Sequence, residues 1–391
     1  MGWRETCAMK ERIGFVAEVE RGERTMSELC RVFGVSRKTG YKWWLRYLEQ
    51  GEGGLQERSR APHTRAQVVG EPVKQALIEL RARHRDWGPR TLLGWLARHR
   101  PELDLPAPST VALLLARQGM VKPRRASRAR IPYGAPFVIA LKPNELWSAD
   151  FKGQFRTGDR RYCYPLTISD ACSRYLLCCR ALHHPRFALV QPWFERVFRE
   201  YGLPGAIRTD NGSPFASGAL GGISRLSLWW LKLGIVPERI RPGRPQQNAR
   251  HERLHGTLKR ACPLRASLPA QQRAFDQFRR DYNSERPHQA LKGDTPEMHY
   301  SASPRPYPKR LGELSYPSGF EQRTVMSNGC IGWLGRKWYV AGVLAGEIIG
   351  LRPIGDGLWR IHVGPLALGI LDARATLIEP METTIHIPTL H

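Results

Sequence analysis

Apolar residues in the first 60 positions of the chain recur every three or four residues, which is the period of an amphipathic helix. Thr25 and Glu28 have the spacing of a capping box at the start of one helix. Gly34 then interrupts the pattern, and Ser36 can cap a further helix that starts at Arg37. The apolar residues expected to pack from this last helix are Tyr41, Trp44, Leu45 and Leu48.

Basic and hydroxyl side chains gather at the start of that last helix. In a helix-turn-helix, the first residues of the second helix contact base edges in the major groove. We therefore predict an all-α, DNA-binding helix-turn-helix domain over residues 1–60. The alternative is a small helical bundle with a solvated basic face. The candidate DNA-contact residues are Arg37, Lys38, Thr39 and Lys42.

A second helical pattern occupies residues 61–130, and Pro89 and Pro108 suit helix starts within it. Because helix-turn-helix modules often occur in pairs, we predict a second DNA-binding module here. It ends in a basic run, residues 121–130, which is either a solvated linker or an arm that lies along a DNA groove. The three predicted helices are residues 72–84, 91–98 and 109–118.

Strand-like and helical runs alternate between residues 140 and 305. Three strand-like runs precede a helix with one apolar face, and two short strands, GAIRTD and GIVPERI, enclose a further helical segment. Two helices then close the region. This order of elements predicts an α/β domain.

Short strand-like runs separated by turn signals such as Asn328-Gly329 fill residues 312–380. They predict a small β-barrel domain, with packing or oligomerisation as its expected role. Residues 311–391 carry 6 Lys+Arg and 7 Asp+Glu, so we do not expect this domain to hold DNA by charge.

Composition adds a partner class to this picture. The chain of 391 residues has a formal net charge of +26, and all of the excess lies before residue 311. Such an excess indicates a polyanionic partner. A merely basic soluble protein is the alternative.

Cysteine usage and hydropathy indicate a cytosolic protein. The eight cysteines form no CxxC pair, so we expect reduced and mostly buried thiols. No apolar run approaches the roughly 18 residues that span a bilayer. The N-terminal residues also lack the apolar core of a signal peptide, and no membrane partner is expected.

Three acidic residues carry the candidate chemistry: Asp150 in WSADFKG, Asp210 in RTDNGSPF and Glu252 in PQQNARHER. Asp150 lies on the first predicted strand, and Asp210 ends a later one. Glu252 lies about one turn inside a predicted helix that Asn248 can cap. Carboxylates drawn together by a fold are the hard ligands that Mg²⁺ prefers.

Lys259 follows Glu252 by seven residues, which returns it to nearly the same helical face. We therefore predict that its ammonium contacts DNA phosphate. Arg253, His255 and Arg260 are expected to be solvated or to make nonspecific contacts. Taken singly, Asp210 is typical of a turn and Glu252 of a surface residue.

Together, these contexts resemble the insertion-sequence transposases of the DDE class, which have a retroviral-integrase-type catalytic core. Glu252 matches the glutamate of the family's P-x-x-N-G-x-x-E-R pattern, with Ala249 in place of the glycine. LTISDACSRYLL resembles two core strands, with Asp170 in a structural role. YNSERPHQALKGDTPEMHY resembles the family motif that follows the catalytic helix. The 41 residues between Asp210 and Glu252 are more than usual, so GALGGISRL is expected to contain a small insertion.

The resemblance implies a ribonuclease H-like core in which Asp150, Asp210 and Glu252 coordinate two Mg²⁺ ions, or Mn²⁺ in their place. Water would cleave the element end, and the freed 3′-hydroxyl would attack target DNA, without a covalent protein–DNA intermediate. The implied partners are double-stranded DNA, both terminal repeats and target, and further copies of the chain, in a bacterial cytoplasm.

Three other functions stay open at this point. A DNA-binding regulator with an inactive core explains the charge but leaves the three acids without a purpose. A hydrolytic nuclease of the same fold would cleave without joining. A decayed element would have lost its activity although its motifs are intact.

Overall fold

The chain divides after Val68 into two units, residues 1–68 and residues 69–391. The computed structural model describes residues 8–57 of the first unit and residues 69–121, 140–240 and 249–381 of the second. Among these residues, no helix is long and apolar enough to cross a membrane.

The first unit consists of three helices, which are α1 (Ala8–Arg21), α2 (Met26–Val32) and α3 (Arg37–Gln50). The predicted capping box starts α2: the Glu28 carboxylate accepts a hydrogen bond from the Thr25 backbone amide at 2.9 Å. Ser36 caps α3, and Gly34 in the turn has a φ of +65°, which favours glycine. The predicted helices and turn are therefore confirmed.

The face of α3 that packs differs from the predicted one. Gly40 and Trp43 are buried. Tyr41, Leu45 and Leu48 are instead 50%, 54% and 61% exposed. A Cβ atom added at Gly40 would lie 2.5 Å from a sulfur atom of α2, so the two helices approach too closely for any larger residue. The prediction for these three apolar residues was wrong because it assumed that large side chains of α3 pack against α2. The contact is made at Gly40 instead.

The second unit begins with three more helices, which are α4 (Glu71–Arg83), α5 (Pro89–His99) and α6 (Pro108–Arg117). Pro89 and Pro108 occupy first turns, where a missing backbone N–H leaves no helix hydrogen bond unmade. Leu77, Leu92 and Val111 are fully buried in a core that the three helices share. The three predicted helices are confirmed. Beyond Val121, the predicted basic run lies outside the described residues.

The central region has strands and helices in the predicted order. Its strands are β1 (Leu146–Phe151), β2 (Phe155–Arg156), β3 (Tyr162–Asp170), β4 (Leu176–Leu182), β5 (Ala206–Thr209) and β6 (Val236–Arg239). Its helices are α7 (Phe187–Tyr201), α8 (Arg225–Lys232), α9 (Ala249–Ala261) and α10 (Leu268–Arg280). The main strands lie side by side in the order β4, β3, β1, β5, β6. The short strand β2 pairs with the start of β3. β1 is antiparallel to β3 and parallel to β5.

Helices cover both faces of this sheet. On one face, Trp147 of β1 is fully buried with Phe194 of α7 in a large aromatic core. On the other face, Leu258 of α9 and Phe275 of α10 pack together with Cys179 of β4. The described cysteines are free thiols, and most are buried, as predicted. Two covered faces leave the ends of the strands as the accessible edge of the domain.

The C-terminal region consists of seven strands, which are β7 (Glu321–Thr324), β8 (Cys330–Trp333), β9 (Arg336–Tyr339), β10 (Ile348–Gly355), β11 (Leu358–Val363), β12 (Leu366–Asp372) and β13 (Leu377–Pro380). Five form an antiparallel sheet in the order β13, β12, β11, β10, β7, and β8 pairs with β9 as a hairpin. Among the described residues, β7 and β13 do not pair with each other, so the predicted closed barrel is not confirmed.

The segment predicted as an insertion joins the C-terminal sheet to the central region. Leu220 and Ile223 of this segment, with Leu228 of α8, belong to the core of the C-terminal sheet. A Cβ atom added at Gly369 of β12 would lie 3.0 Å from Leu220 Cδ1, which shows how closely the two parts pack. Residues 218–226 thus form a contact surface for the C-terminal region, and their being an insertion stays a prediction.

Candidate active site at the sheet edge

The parallel pairing of β1 and β5 brings Asp150 and Asp210 to the same edge of the sheet. The register pairs Leu146 with Ala206 and Ser148 with Arg208, an offset of 60 residues. If the same offset continues for two more residues, Asp150 is level with Asp210, which directly follows β5. Neighbouring strands lie about 4.8 Å apart. The register therefore predicts that the two aspartates lie at the same level, two residues beyond the last paired residues.

A tight turn holds Asp210 at this edge. Its Oδ1 accepts a hydrogen bond from the Gly212 amide at 3.1 Å, as in an Asx-turn. The Asn211 side-chain amide donates to the Ile240 carbonyl at 2.9 Å, just beyond β6. The carboxylate is half-buried. The turn therefore directs the chain away from the sheet while Asp210 stays beside it.

Asp150 is nearly buried, with 9% of its surface exposed, and two histidines of α9 lie against it. One carboxylate oxygen of Asp150 and one ring nitrogen from each of His251 and His255 lie within 4.8 Å of one another. Among the described residues, this is the group of His, Cys, Asp and Glu side chains that can hold a metal ion. Neither Asp210 nor Glu252 belongs to it.

The Thr167 hydroxyl orients both histidines. Its oxygen lies 3.2 Å from the Asp150 carbonyl oxygen, 2.6 Å from His251 Nε2 and 2.8 Å from His255 Nε2. A hydroxyl donates one hydrogen bond and accepts two. Donation to the carbonyl leaves two lone pairs, which accept from both Nε2 atoms when these carry the ring protons. The Nδ1 lone pairs are then free, and His251 Nδ1 is buried without a hydrogen-bond partner among the described residues.

Both imidazoles are neutral at pH 7. Burial lowers the pKa of His251 well below its ordinary value, and the adjacent His255 adds to the effect. Burial and then the charge of Lys152 lower the pKa of His255 to about 4. Neutral imidazole is the form that binds metal ions. The pair can therefore act as ligands beside Asp150.

Glu252 lies in the first turn of α9, and its side chain is exposed. The side of α9 that faces the sheet carries the buried residues His251, Leu254 and Leu258. Glu252 follows His251 directly, so it points roughly 100° away from that buried stripe. The structure places Asp150 against His251 and His255 of α9, and it places Glu252 on the exposed flank of the same helix.

Lys259 borders a basic groove on the same flank of α9. Lys259 follows Glu252 by seven residues, so the two side chains point within roughly 20° of the same direction around the helix. Lys259 lines a cavity of about 490 Å³ together with Lys152. Burial and then the charge of Lys259 lower the pKa of Lys152. Because Lys152 follows Asp150 by two residues, the basic groove lies beside the end of β1.

The expectation that His255 is solvated was wrong. His255 is half-buried and bonded to Thr167, whereas Arg253 and Arg260 are exposed, as expected. Sequence reasoning also missed His251. The available signal was the four-residue spacing of the two histidines, which places both on the apolar stripe with Leu254.

Asp170 has the structural role that was predicted. It is buried, and its Oδ1 accepts from the Asn144 amide at 2.8 Å. Its Oδ2 accepts from the Ser173 amide and the Ser173 hydroxyl, both at 2.7 Å. These contacts tie the β3–β4 turn to the start of β1.

The predicted DNA-contact residues of α3 differ in their surroundings. Arg37 and Lys38 are exposed at its start. The Thr39 hydroxyl lies 2.9 Å from the hydroxyl of the capping residue Ser36. The Lys42 ammonium lies 4.4 Å from the centre of the Trp43 ring. Arg37 and Lys38 are thus the residues of this set with the most open surroundings.

Known protein families match four parts of the chain. Two family models described as Integrase core domain match residues 140–245 and 233–296. A Helix-turn-helix domain model matches residues 11–63, and a Homeodomain-like domain model matches residues 39–115.

Two similar proteins come from bacterial insertion elements. The uncharacterized 39.2 kDa protein of insertion element IS476 from Xanthomonas euvesicatoria is 30% identical over 247 residues, which cover 61% of this chain and 68% of that protein. The chain belongs to the integrase-core transposases of insertion elements. The 31.7 kDa protein of insertion element IS407 from Burkholderia multivorans is 28% identical over 226 residues, which cover 56% of this transposase and 78% of that protein.

The transposase joins helix-turn-helix domains to an integrase core, and it binds DNA and mediates DNA integration. Among solved structures, the HTLV-2 integrase catalytic core domain in complex with magnesium aligns with a TM-score of 0.33 and 18% identity. That alignment covers 41% of this chain and 99% of that chain.

Proposed function

We propose that Asp150, Asp210 and Glu252 are the catalytic residues of this transposase and that they coordinate two divalent ions, Mg²⁺ or, in its place, Mn²⁺. The parallel register of β1 and β5 carries the proposal, because it supports a shared position for Asp150 and Asp210 at the sheet edge. The substrates are the terminal repeats of the element and a double-stranded target. The core around them is ribonuclease H-like.

The chemistry of the donor groups fits divalent ions. Carboxylate oxygens suit Mg²⁺, and neutral imidazoles beside a carboxylate suit Mn²⁺ and other transition metals. Asp150, His251 and His255 together offer three ligand atoms within 4.8 Å of one another. When bound, the ions would stabilise charge on the attacking and leaving oxygens of phosphoryl transfer.

The residues around the acids bind and orient the DNA. Glu252 contributes its carboxylate from the flank of α9 that borders the basic groove. Lys152 and Lys259 bind the phosphate backbone in that groove. Thr167 fixes the rings of His251 and His255 through both Nε2 atoms, and one ring nitrogen of each histidine lies beside Asp150.

The DNA-binding modules lie before the catalytic core. Residues 1–60 and 61–130 recognise the terminal repeats, with Arg37 and Lys38 as exposed contacts at the start of α3. Two ends must be joined in one event, so the active form is a homo-oligomer on DNA. The C-terminal sheet, which lacks net positive charge, serves packing or oligomerisation.

A cleavage and joining assay tests the proposal. Purified protein and Mg²⁺ would be mixed with a labelled duplex from the end of the element and with target DNA. We expect the wild type to give joined products and Glu252→Gln to give neither cleavage nor joining. Glu79→Gln, which changes an exposed glutamate of α4, is the matched control.

Full activity of Glu252→Gln would remove Glu252 from the catalytic set. Cleavage without joining by the wild type would instead favour a nuclease, and binding without cleavage would favour a regulator.

A further inference from the structure

A basic cleft lies between the second helical module, α4 to α6, and helices α9 and α10 of the core. It encloses about 590 Å³. The module contributes the exposed residues Arg83 and Arg85, and the core contributes the exposed residues Arg260 and Arg265. Neither side alone presents more than two of these guanidinium groups. The cleft is therefore assembled only when the module is docked.

A buried ion pair holds the two sides of the cleft together. Arg286 Nη1 lies 2.7 Å from Asp86 Oδ2, and the two side chains are only 14% and 8% exposed. Removing one partner of such a pair leaves the other charge buried and uncompensated. Asp86 thus neutralises Arg286, and Asp281 is the remaining acidic residue that lines the cleft.

Two further contacts lie along the same boundary. Arg98 of α5 bonds to Asp294 at 2.8 Å. A Cβ atom added at Gly94 of α5 would lie 3.2 Å from Pro287 Cβ, so the helix and the proline are in close contact. Arg286, Pro287 and Asp294 all belong to the segment YNSERPHQALKGDTPEMHY. This motif follows the catalytic helix in sequence and touches the module in space.

The cleft adjoins the basic groove beside the candidate active site. Cys262 and Pro263 line both cavities. Lys259 faces the groove, and the next residue, Arg260, faces the cleft. Cations therefore line the groove at the end of β1 and the cleft at the second helical module, with Lys259 and Arg260 adjacent in sequence between them.

We propose that YNSERPHQALKGDTPEMHY docks the second helical module on the core and that the cleft so formed binds the phosphodiester backbone of the element-end DNA. The proposal rests on the function proposed above, because it needs end DNA to lie in the groove beside Asp150. It assigns Asp86 and Arg286 as positioning residues. The arginines on both sides bind phosphate and release counterions.

The Asp86→Arg variant distinguishes an effect of module docking on DNA binding from a general effect of added positive charge. The substitution adds two positive charges, so a purely electrostatic surface would bind DNA more tightly. Loss of docking would instead weaken binding. Glu79→Arg makes the same change in charge on the exposed side of α4, and it is the matched control.

Binding of a labelled duplex from the element end would be measured across a salt series in EDTA, where no catalysis occurs. We expect Asp86→Arg to bind about tenfold more weakly than Glu79→Arg, with a lower salt slope. The charge swap Asp86→Arg with Arg286→Asp should restore binding to within about threefold of wild type. Because EDTA removes the metal-dependent step, failure of the catalytic assignment cannot produce these results.

Arg260→Ala with Arg265→Ala tests the cleft itself, and it should lower the salt slope by up to about 2. If Asp86→Arg does not fold, Gly94→Val adds bulk at the Pro287 contact without changing charge, and it should weaken binding in the same way. Binding by Asp86→Arg as tight as that of Glu79→Arg would overturn the docking. An unchanged salt slope in the double alanine variant would overturn the cleft as a backbone site.

Discussion

The two sides of the candidate active site are built by different forces. On the sheet side, hydrogen bonds between the backbones of β1 and β5 set Asp150 and Asp210 level with each other. On the helix side, α9 is held by side chains, chiefly Leu254 and Leu258 in the core beneath it. Backbone pairing does not depend on the identity of single side chains, whereas helix packing does. The sheet half of the site is therefore preformed, and a few side chains set the helix half.

Loss of either aspartate should have the largest effect. We expect Asp150→Asn and Asp210→Asn each to lower the rate of end cleavage by about 10³-fold or more, since each removes a ligand of the metal ions that would stabilise charge in the transition state. Binding of end DNA in EDTA should stay close to that of wild type. Asp356→Asn changes an exposed aspartate of the C-terminal sheet, whose side chain is 94% exposed, and should be fully active. Retained cleavage in Asp210→Asn would break the pairing of the two aspartates as one site.

The helix side should respond through stability. Leu258 is 1% exposed, and Leu258→Ala should lower the free energy of unfolding by about 2–5 kcal/mol. Arg253→Ala on the exposed side of the same helix should change it by less than about 0.5 kcal/mol. Urea unfolding measures both values. Equal effects of the two variants would show that the packing of α9 does not hold the helix in place.

Sequence and structure agree where the signal is a local pattern. The strand that ends at Thr209 follows from a short apolar run, and the turn after it follows from Asn211 and Gly212. The helix that carries Glu252 was also predicted, whereas its predicted cap, Asn248, lies outside the described residues. The placement of Asp150 and Asp210 at one edge stays a prediction, which the parallel register of β1 and β5 supports.

The remaining features depend on contacts between distant parts of the chain. His251 and His255 meet Thr167 across 84 and 88 residues, which no local pattern encodes. The packing face of α3 depends on how closely α2 approaches Gly40. The strands of the C-terminal sheet carry the same local sequence signals as the strands of a barrel. Closure of a barrel depends instead on pairing between the first and last strands, β7 and β13, which are distant in sequence.

Thr167→Val sharpens the comparison, since Thr167 links the sheet to α9. Thr167 is fully buried, and loss of its hydroxyl removes a hydrogen-bond partner from both Nε2 atoms. The free energy of unfolding should fall by about 1–3 kcal/mol, and Thr167→Ser should restore most of it. If the serine variant is no more stable than the valine variant, the hydroxyl does not join the two sides.

The smallest effect concerns α3, which belongs to the first unit. Arg37→Ala with Lys38→Ala should weaken binding to element ends and lower the salt slope by up to about 2, because each phosphate contact contributes roughly 0.9. Lys337→Ala with Arg352→Ala removes two exposed cations from the C-terminal sheet and should leave both quantities unchanged. Equal salt slopes for the two double variants would remove α3 from the DNA interface.

Metal binding tests the central claim most directly, namely that Asp150 and Asp210 share a site for divalent ions. Titration of the protein with Mn²⁺, followed by electron paramagnetic resonance of the free ion, gives the number bound and their affinity without any DNA chemistry. We expect two bound ions in the wild type and fewer in both Asp150→Asn and Asp210→Asn. Unchanged stoichiometry and affinity in Asp210→Asn would contradict the account, because Asp150 would then bind metal with His251 and His255 alone.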